Sequence, residues 1–349
     1  MIVFIVILIG ILFSGMKISP QGEYFEDYAG KKQTATINGV FTLLIFLSHS
    51  IQYLTLDGPL DAAYLTLRYT LNQLVVAPFL FFSGFGIMES IGKKGMDYVK
   101  GIPKNRFFKV WYHYALSLIP FILVNLIFNK GYSFVQTLLS FTGIRAIGNS
   151  NWFMLATFVM YIIVFASFMI CRQHKVWGIV LTFALTGIFM FIEYKAGYGT
   201  YYYNTVLCFA AGMAFSMIKP HFDRQVMKND TLWYVWAGGA ALIFAALKDV
   251  ASVHIIVYNI FSILFVVLLM LLAMKIKIGN PILDFFGRHV FSFFILQRIP
   301  MIILEEIGYA KAHRYAFIVI SFICTIILTV LFDRLMEKTD KLIYCAKAK

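Results

Sequence analysis

The chain has 349 residues, 60% of them hydrophobic and 13% charged, and its net charge is +13. A soluble domain is about a quarter charged, so this composition excludes an ordinary water-facing globule. An apolar run near 20 residues is the length that spans a bilayer, and repeated runs of that kind predict an all-α, polytopic transmembrane helical bundle.

Eleven apolar segments follow in chain order. The first covers residues 2–15. It has no basic stretch before it and no evident processing site around Ser14-Gly15-Met16, which predicts a retained helix rather than a signal peptide. The next four cover 38–54, 71–91, 108–128 and 151–171. Then come 176–194, 201–218, the short 232–247, 252–274, 289–306 and 315–333. No internal repeat or low-complexity tract interrupts them.

The connecting loops carry the orientation. Alternating them between two sides puts twenty-two Lys and Arg on one side. They are Lys17, Lys31 and Lys32, the run Lys93 to Lys109, Arg172 and Lys175, Lys219 to Lys228, Lys275 to Arg288, and Arg334 to Lys349. The other side takes seven: Arg68, Lys130, Arg145, Lys195, Lys248, Lys311 and Arg314. The positive-inside rule makes the richer side cytoplasmic. The predicted protein is therefore multi-pass in the cell membrane, with its N-terminus outside and its C-terminus inside. Charges confined to loops in this way argue against a nucleic-acid partner and for contact with membrane lipids.

His49 is the residue that most suggests chemistry. It lies about eleven residues, or roughly 16 Å at helical rise, from the start of the second apolar segment, which predicts a place near mid-membrane. An ionisable group there is costly and marks a functional site by default. Histidine titrates nearest neutral pH, which suits proton transfer. Tyr53 lies one turn further on and can share its face.

Other residues read more modestly. In Gly92 to Lys109, six cations border the bilayer, and Arg106 and Lys109 stand three apart at a helix entrance, where they can grip a phosphate-bearing ligand. Phe81-Phe82-Ser83-Gly84 is a small-residue notch suited to close helix packing. Trp152 reads as an interface aromatic. Arg298, beside Gln297 within the tenth segment, needs a carbonyl, carboxylate or ligand as partner. Glu193, Glu305 and Glu306, near segment ends, read as solvated, and His113, His254, His289 and His313 as wetted. Cys171, Cys208, Cys324 and Cys345 have no metal or disulfide spacing and read as lipid- or core-facing thiols. No Walker loop, HExxH or GxSxG motif is present, and no metal site is predicted.

In order, these residues resemble the membrane acyltransferase-3 family, over about residues 34–335. Gly39-Val-Phe…Ser48-His49-Ser50 resembles its first core helix. Phe81-Phe82-Ser83-Gly84-Phe85 resembles its FxFFSG segment, and Arg106-Phe-Phe-Lys109 its RxxR helix entry. Trp152-Phe153 resembles its outer W-F, Phe209-Ala-Ala-Gly212-Met213 its FxxGM, and Gly287 to Gln297 its late GxxSxxxYLxH stretch. The departures are Asn38, where the family has a basic residue eleven before the His, Lys109 for the second Arg, and Val290, Phe294 and Gln297 in the late motif.

The resemblance implies an O-acyltransferase that moves an acyl group, typically acetyl, from acyl-CoA to a sugar hydroxyl of a cell-surface or exported glycan. His49 would be the general base. Arg106, Lys109 and Asn38 would bind the donor. Tyr53, Ser83, Trp152, Gln297 and Arg298 would form the acceptor or structural site. Acetyl-CoA would be a substrate, with no tightly bound cofactor. The implied organisation is an N-terminal helix and loop over 1–33, the acyltransferase domain over 34–335 and a basic tail over 336–349. The alternative reading is an exporter or flippase of a glycan or lipid-linked sugar, with His49 and Arg298 lining its path.

Overall fold

The computed structural model describes residues 1–58, 61–172 and 174–345; Lys347, Lys349 and the Cys345 side chain lie outside the described residues. The chain runs α1 (Ile2–Phe13), β1 (Lys17–Ile18), α2 (Lys31–Ser50), α3 (Ala62–Leu71), α4 (Ala77–Ile102) and α5 (Lys109–Ile127). It continues with α6 (Phe134–Ser140), α7 (Asn151–Cys171), α8 (Lys175–Lys195), α9 (Leu207–Val226), α10 (Asp230–Ala251) and α11 (Ile255–Lys275). The last elements are β2 (Ile276–Lys277), α12 (Pro281–Arg288), α13 (Val290–Leu296), α14 (Arg298–Glu306), α15 (Tyr309–Ala312) and α16 (Arg314–Asp340).

Among the described residues, eight helical stretches are long and apolar enough to cross a membrane, or nine when the bent pair Pro281–Arg288 and Val290–Glu306 is counted. One of the eight, Ala62–Ile127, has 66 residues, about 100 Å at helical rise and far more than one crossing. It breaks at Gly95, which adopts φ 58, and changes to a π-helical turn over Pro103–Phe108. It therefore holds two of the apolar segments. Helix α1 has only 12 residues, about 18 Å, short of the roughly 30 Å hydrocarbon core. At the other terminus α16 continues past residue 335 to Asp340, so the predicted tail begins as helix. Asp340 is held there by Lys109, at 2.7 Å.

The two groups of loop charges separate in space. Lys17 pairs with Lys277 across the β1–β2 ladder, Tyr28 donates to Asp223, and Lys109 meets Asp340. These contacts gather the cation-rich loops at one end of the bundle. At the opposite end Arg314 reaches Asp57 and Asp61, and Lys130 pairs with Glu306. The residue 14–30 loop is strapped down by Asp230, which takes a hydrogen bond from the Gly22 amide at 2.8 Å and an ion pair from Lys275 at 2.6 Å. Burial and the neighbouring Asp230 carboxylate push the Tyr24 hydroxyl up to about 12, so it stays a donor to that carboxylate.

Two helix crossings bring backbones into direct contact. On α4 and α9, a Cβ at Gly84 would lie 1.9 Å from the Phe209 carbonyl oxygen, and one at Gly212 2.0 Å from that of Phe81. On α2 and α12, a Cβ at Gly39 would lie 2.3 Å from the Leu283 oxygen, and one at Gly287 2.1 Å from that of Ala35. Only glycine permits either approach. The small-residue notch is thus a packing surface, as its spacing predicts. Leu126, Ile127, Ile170 and Leu242, each at least 70% exposed, form part of an apolar outer surface that suits lipid rather than water.

Candidate active site

His49 sits in the last turn of α2, one residue before its end. This corrects the expected start of the helix, which places His49 about eleven residues in. The helix starts at Lys31, seven residues before the apolar run, because polar residues at the membrane surface keep helical hydrogen bonds that hydropathy does not register. His49 therefore opens on the bundle end away from the cation-rich loops. Its Nδ1 is buried without a hydrogen-bond partner, and its ring lies 6.1 Å from that of Phe294.

The imidazole lines a cavity of about 600 Å³ with Arg68, Gln73, Asn149, Trp152 and Arg298 among its walls. Trp152 and Tyr201 stand edge to face at 6.0 Å, giving an aromatic wall. Arg298 begins α14, in the Val290–Glu306 arm that follows the 71° bend. Its Nε donates to Ser150 Oγ at 2.9 Å and its NH2 to Gln52 Oε1 at 2.6 Å, with a longer contact of 3.4 Å to the Tyr53 hydroxyl. Tyr53 thus reaches the site through Arg298.

A second cavity, of about 480 Å³, occupies the cation-rich end. Arg106, Lys109, His113, Arg288, His289 and Asp333 line it. The Arg106 Nε donates to the Tyr98 hydroxyl at 2.9 Å. Asp333 accepts from both His289 and Ser292, and Asp340 takes Tyr112, His113 and Lys109. His113 and His289 are therefore carboxylate-bound rather than merely wetted. Glu193 also departs from its reading: it is 7% exposed and its Oε2 has no partner.

Between the two lies a slot of about 100 Å³, lined by Thr42, Val76, Phe79, Met154, Val290 and Gln297 among others. It shares Ile45, Val76 and Phe294 with the His49 cavity and Phe291 with the Arg106 cavity. The order recurs along separate helices. On α7, Tyr161 faces the Arg106 cavity, Met154 the slot and Trp152 the His49 cavity. On α12–α14, His289, Phe294 and Arg298 repeat it. Nine residues separate the outer members of each set, about 14 Å at helical rise.

The structure thus brings His49, Trp152 and Arg298 together, and Arg106 and Lys109 together. Gln297, fully buried with its Oε1 unpartnered, faces the slot. Asn38 and Ser83 line none of the three cavities. Asn38 lies one turn below Thr42, whose hydroxyl it accepts through its carbonyl at 2.8 Å. Reading the sequence missed Arg68, Gln52, Asn149 and Ser150. Arg68 passes for one more loop charge, and no spacing signal joins residue 68 to residue 298. Among the described residues no His, Cys, Asp or Glu cluster suits a metal ion.

A bundle of long apolar helices, with polar cavities toward its two ends and an apolar slot between them, defines a polytopic helical membrane protein. The chain belongs to the acyltransferase-3 family: the family's acyltransferase-domain model matches residues 37–334. It is therefore a membrane acyltransferase. Neither the curated proteins nor the solved structures give a significant match.

Proposed function

We propose that the protein transfers an acyl group, typically acetyl, from cytoplasmic acyl-CoA to a hydroxyl of a glycan on the outer side of the cell membrane. The observation that carries this is the line of cavities joining Arg106 to His49. Acyl-CoA bears several phosphates at one end and a thioester at the other. Arg106, Lys109 and Arg288 suit the phosphates. The slot suits the pantetheine arm, which when extended can bridge a gap of this length. The thioester then emerges beside His49. The charge separation supports an orientation with the Arg106 end in the cytoplasm.

In this scheme the acceptor hydroxyl attacks the thioester carbonyl while His49 takes its proton. The C–S bond breaks, the new C–O ester bond remains on the glycan, and the CoA thiolate recovers the proton from the imidazolium. Trp152 and Tyr201 offer apolar faces for a sugar ring. A glycan exporter would use the same path without breaking the thioester.

The test is purified protein in detergent with labelled acetyl-CoA and an accepting glycan. Wild type should release CoA and label the glycan. His49→Gln keeps polarity but cannot accept a proton at neutral pH, and should abolish labelling while the protein elutes as a folded species. Full labelling by folded His49→Gln would reject the catalytic role. An intact thioester with wild type would reject acyl transfer in favour of export.

A further inference from the structure

Among the described residues, the wall of the His49 cavity has two arginines and no carboxylate. Neither Arg68 nor Arg298 forms an ion pair among the described residues, whereas Arg314, at the same end of the bundle, is paired with Asp57 and Asp61. The protein therefore pairs a neighbouring guanidinium with carboxylates and leaves the exposed Arg68 and the half-buried Arg298 without one.

Their hydrogen bonds sharpen the point. Arg298 is held by neutral groups only, Ser150, Gln52 and Tyr53. Arg68 uses its Nε alone, on Ser48 at 3.2 Å. Its two terminal nitrogens have no protein acceptor among the described residues and remain available as a fork.

A third source of positive potential abuts them. Ser150 is the N-cap of α7, yet its side chain makes no capping hydrogen bond. Its hydroxyl accepts from Arg298 instead. The first turn of this 21-residue helix thus meets the cavity at Asn151 and Trp152 without the usual side-chain acceptor, and its dipole favours negative charge there. A cavity with two arginines and a helix N-terminus in its wall favours a ligand that carries negative charge over a neutral sugar.

We propose that the acceptor is acidic: it carries a carboxylate or a phosphate close to the hydroxyl that is acylated, and Arg298 and Arg68 bind that anion beside His49. The inference rests on the reading of this cavity as the acceptor site. A uronic acid and a glycosyl phosphate share the required chemistry.

Binding separates the inference from catalysis. Purified protein without acyl-CoA is titrated with methyl glucoside, methyl glucuronide and glucose 1-phosphate, and thermal stabilisation is read. One or both acidic probes should bind roughly tenfold or more tighter than the neutral one, the difference expected for a charge-assisted contact; which of the two binds better identifies the anion. His49→Gln should keep the preference. Arg298→Gln and Arg68→Gln should each reduce it, and the pair should remove it, while both variants still elute as folded protein. Equal affinities, or no binding of any probe, would overturn the proposal. Labelling from acetyl-CoA is then measured with the same sugars. Equal labelling of all three would leave acyl transfer standing and the acidic acceptor refuted. Selective binding of the acids with no labelling would leave the anion site standing and refute acyl transfer.

Discussion

Gly84 and Gly212 face each other across the α4–α9 crossing, each lying against a backbone carbonyl of the other helix. The relationship is reciprocal: the oxygen of Phe209, three residues before Gly212, meets Gly84, and that of Phe81, three before Gly84, meets Gly212. The crossing braces α4, from which Phe79 lines the slot.

Gly84→Ala and Gly212→Ala should therefore destabilise the fold. The added methyl cannot fit at 1.9 or 2.0 Å from an oxygen, so the helices must separate, at a cost of about 1–3 kcal/mol or more for overpacking. Gly86→Ala, on the same helix with nothing within 4 Å, should be neutral or slightly stabilising. Thermal melts in detergent compare the three. A melt of Gly84→Ala matching that of Gly86→Ala would refute the close crossing.

At the proposed donor end, Arg106→Ala should raise the KM for acyl-CoA about tenfold or more, as loss of a charge-assisted phosphate contact does. Lys94→Ala removes an exposed cation outside the cavity and should change little. Steady-state kinetics measure both. Equal small losses would assign the whole basic run to topology.

Val290→Phe should obstruct the slot of about 100 Å³. Acyl-CoA should still bind at Arg106, because in the proposed arrangement its phosphates stay outside the slot. Transfer to the glycan should fall on the order of a hundredfold, as misplacement of a reacting group does. Undiminished turnover would mean that the acyl group reaches His49 by another route.

The proposed orientation rests on the charge separation. In a background whose native cysteines are replaced by alanine, Asp97→Cys should resist an impermeant maleimide in intact cells, and Phe134→Cys should react. A reporter fused after Lys349 should behave as cytoplasmic. External labelling at residue 97 would invert the model.

Much of this architecture is legible in the sequence because it depends on local quantities. Apolar runs report helices, since an unpaired backbone cannot cross hydrocarbon. Loop cations report sides, and the contacts that join Lys17 to Lys277, Tyr28 to Asp223 and Lys109 to Asp340 keep those sides apart. His49 stands out because an imidazole is rare on an apolar helix. Hydropathy, however, marks where lipid begins rather than where helical hydrogen bonding ends, so the depth of His49 needed the structure.

The rest is decided by register between helices distant in the chain. The glycine-bearing motifs are separate stretches in the sequence; only packing shows that Gly84 meets Gly212 and that Gly39 meets Gly287. Arg68 is one loop cation among seven until the fold sets it beside His49 and Arg298. Ser150 looks like an ordinary N-cap until Arg298, 148 residues away, takes its hydroxyl. Composition and periodicity mark the helical segments and divide their loop charges into two groups; the site's charge and its unpaired hydrogen-bonding groups arise from contacts that no local pattern encodes.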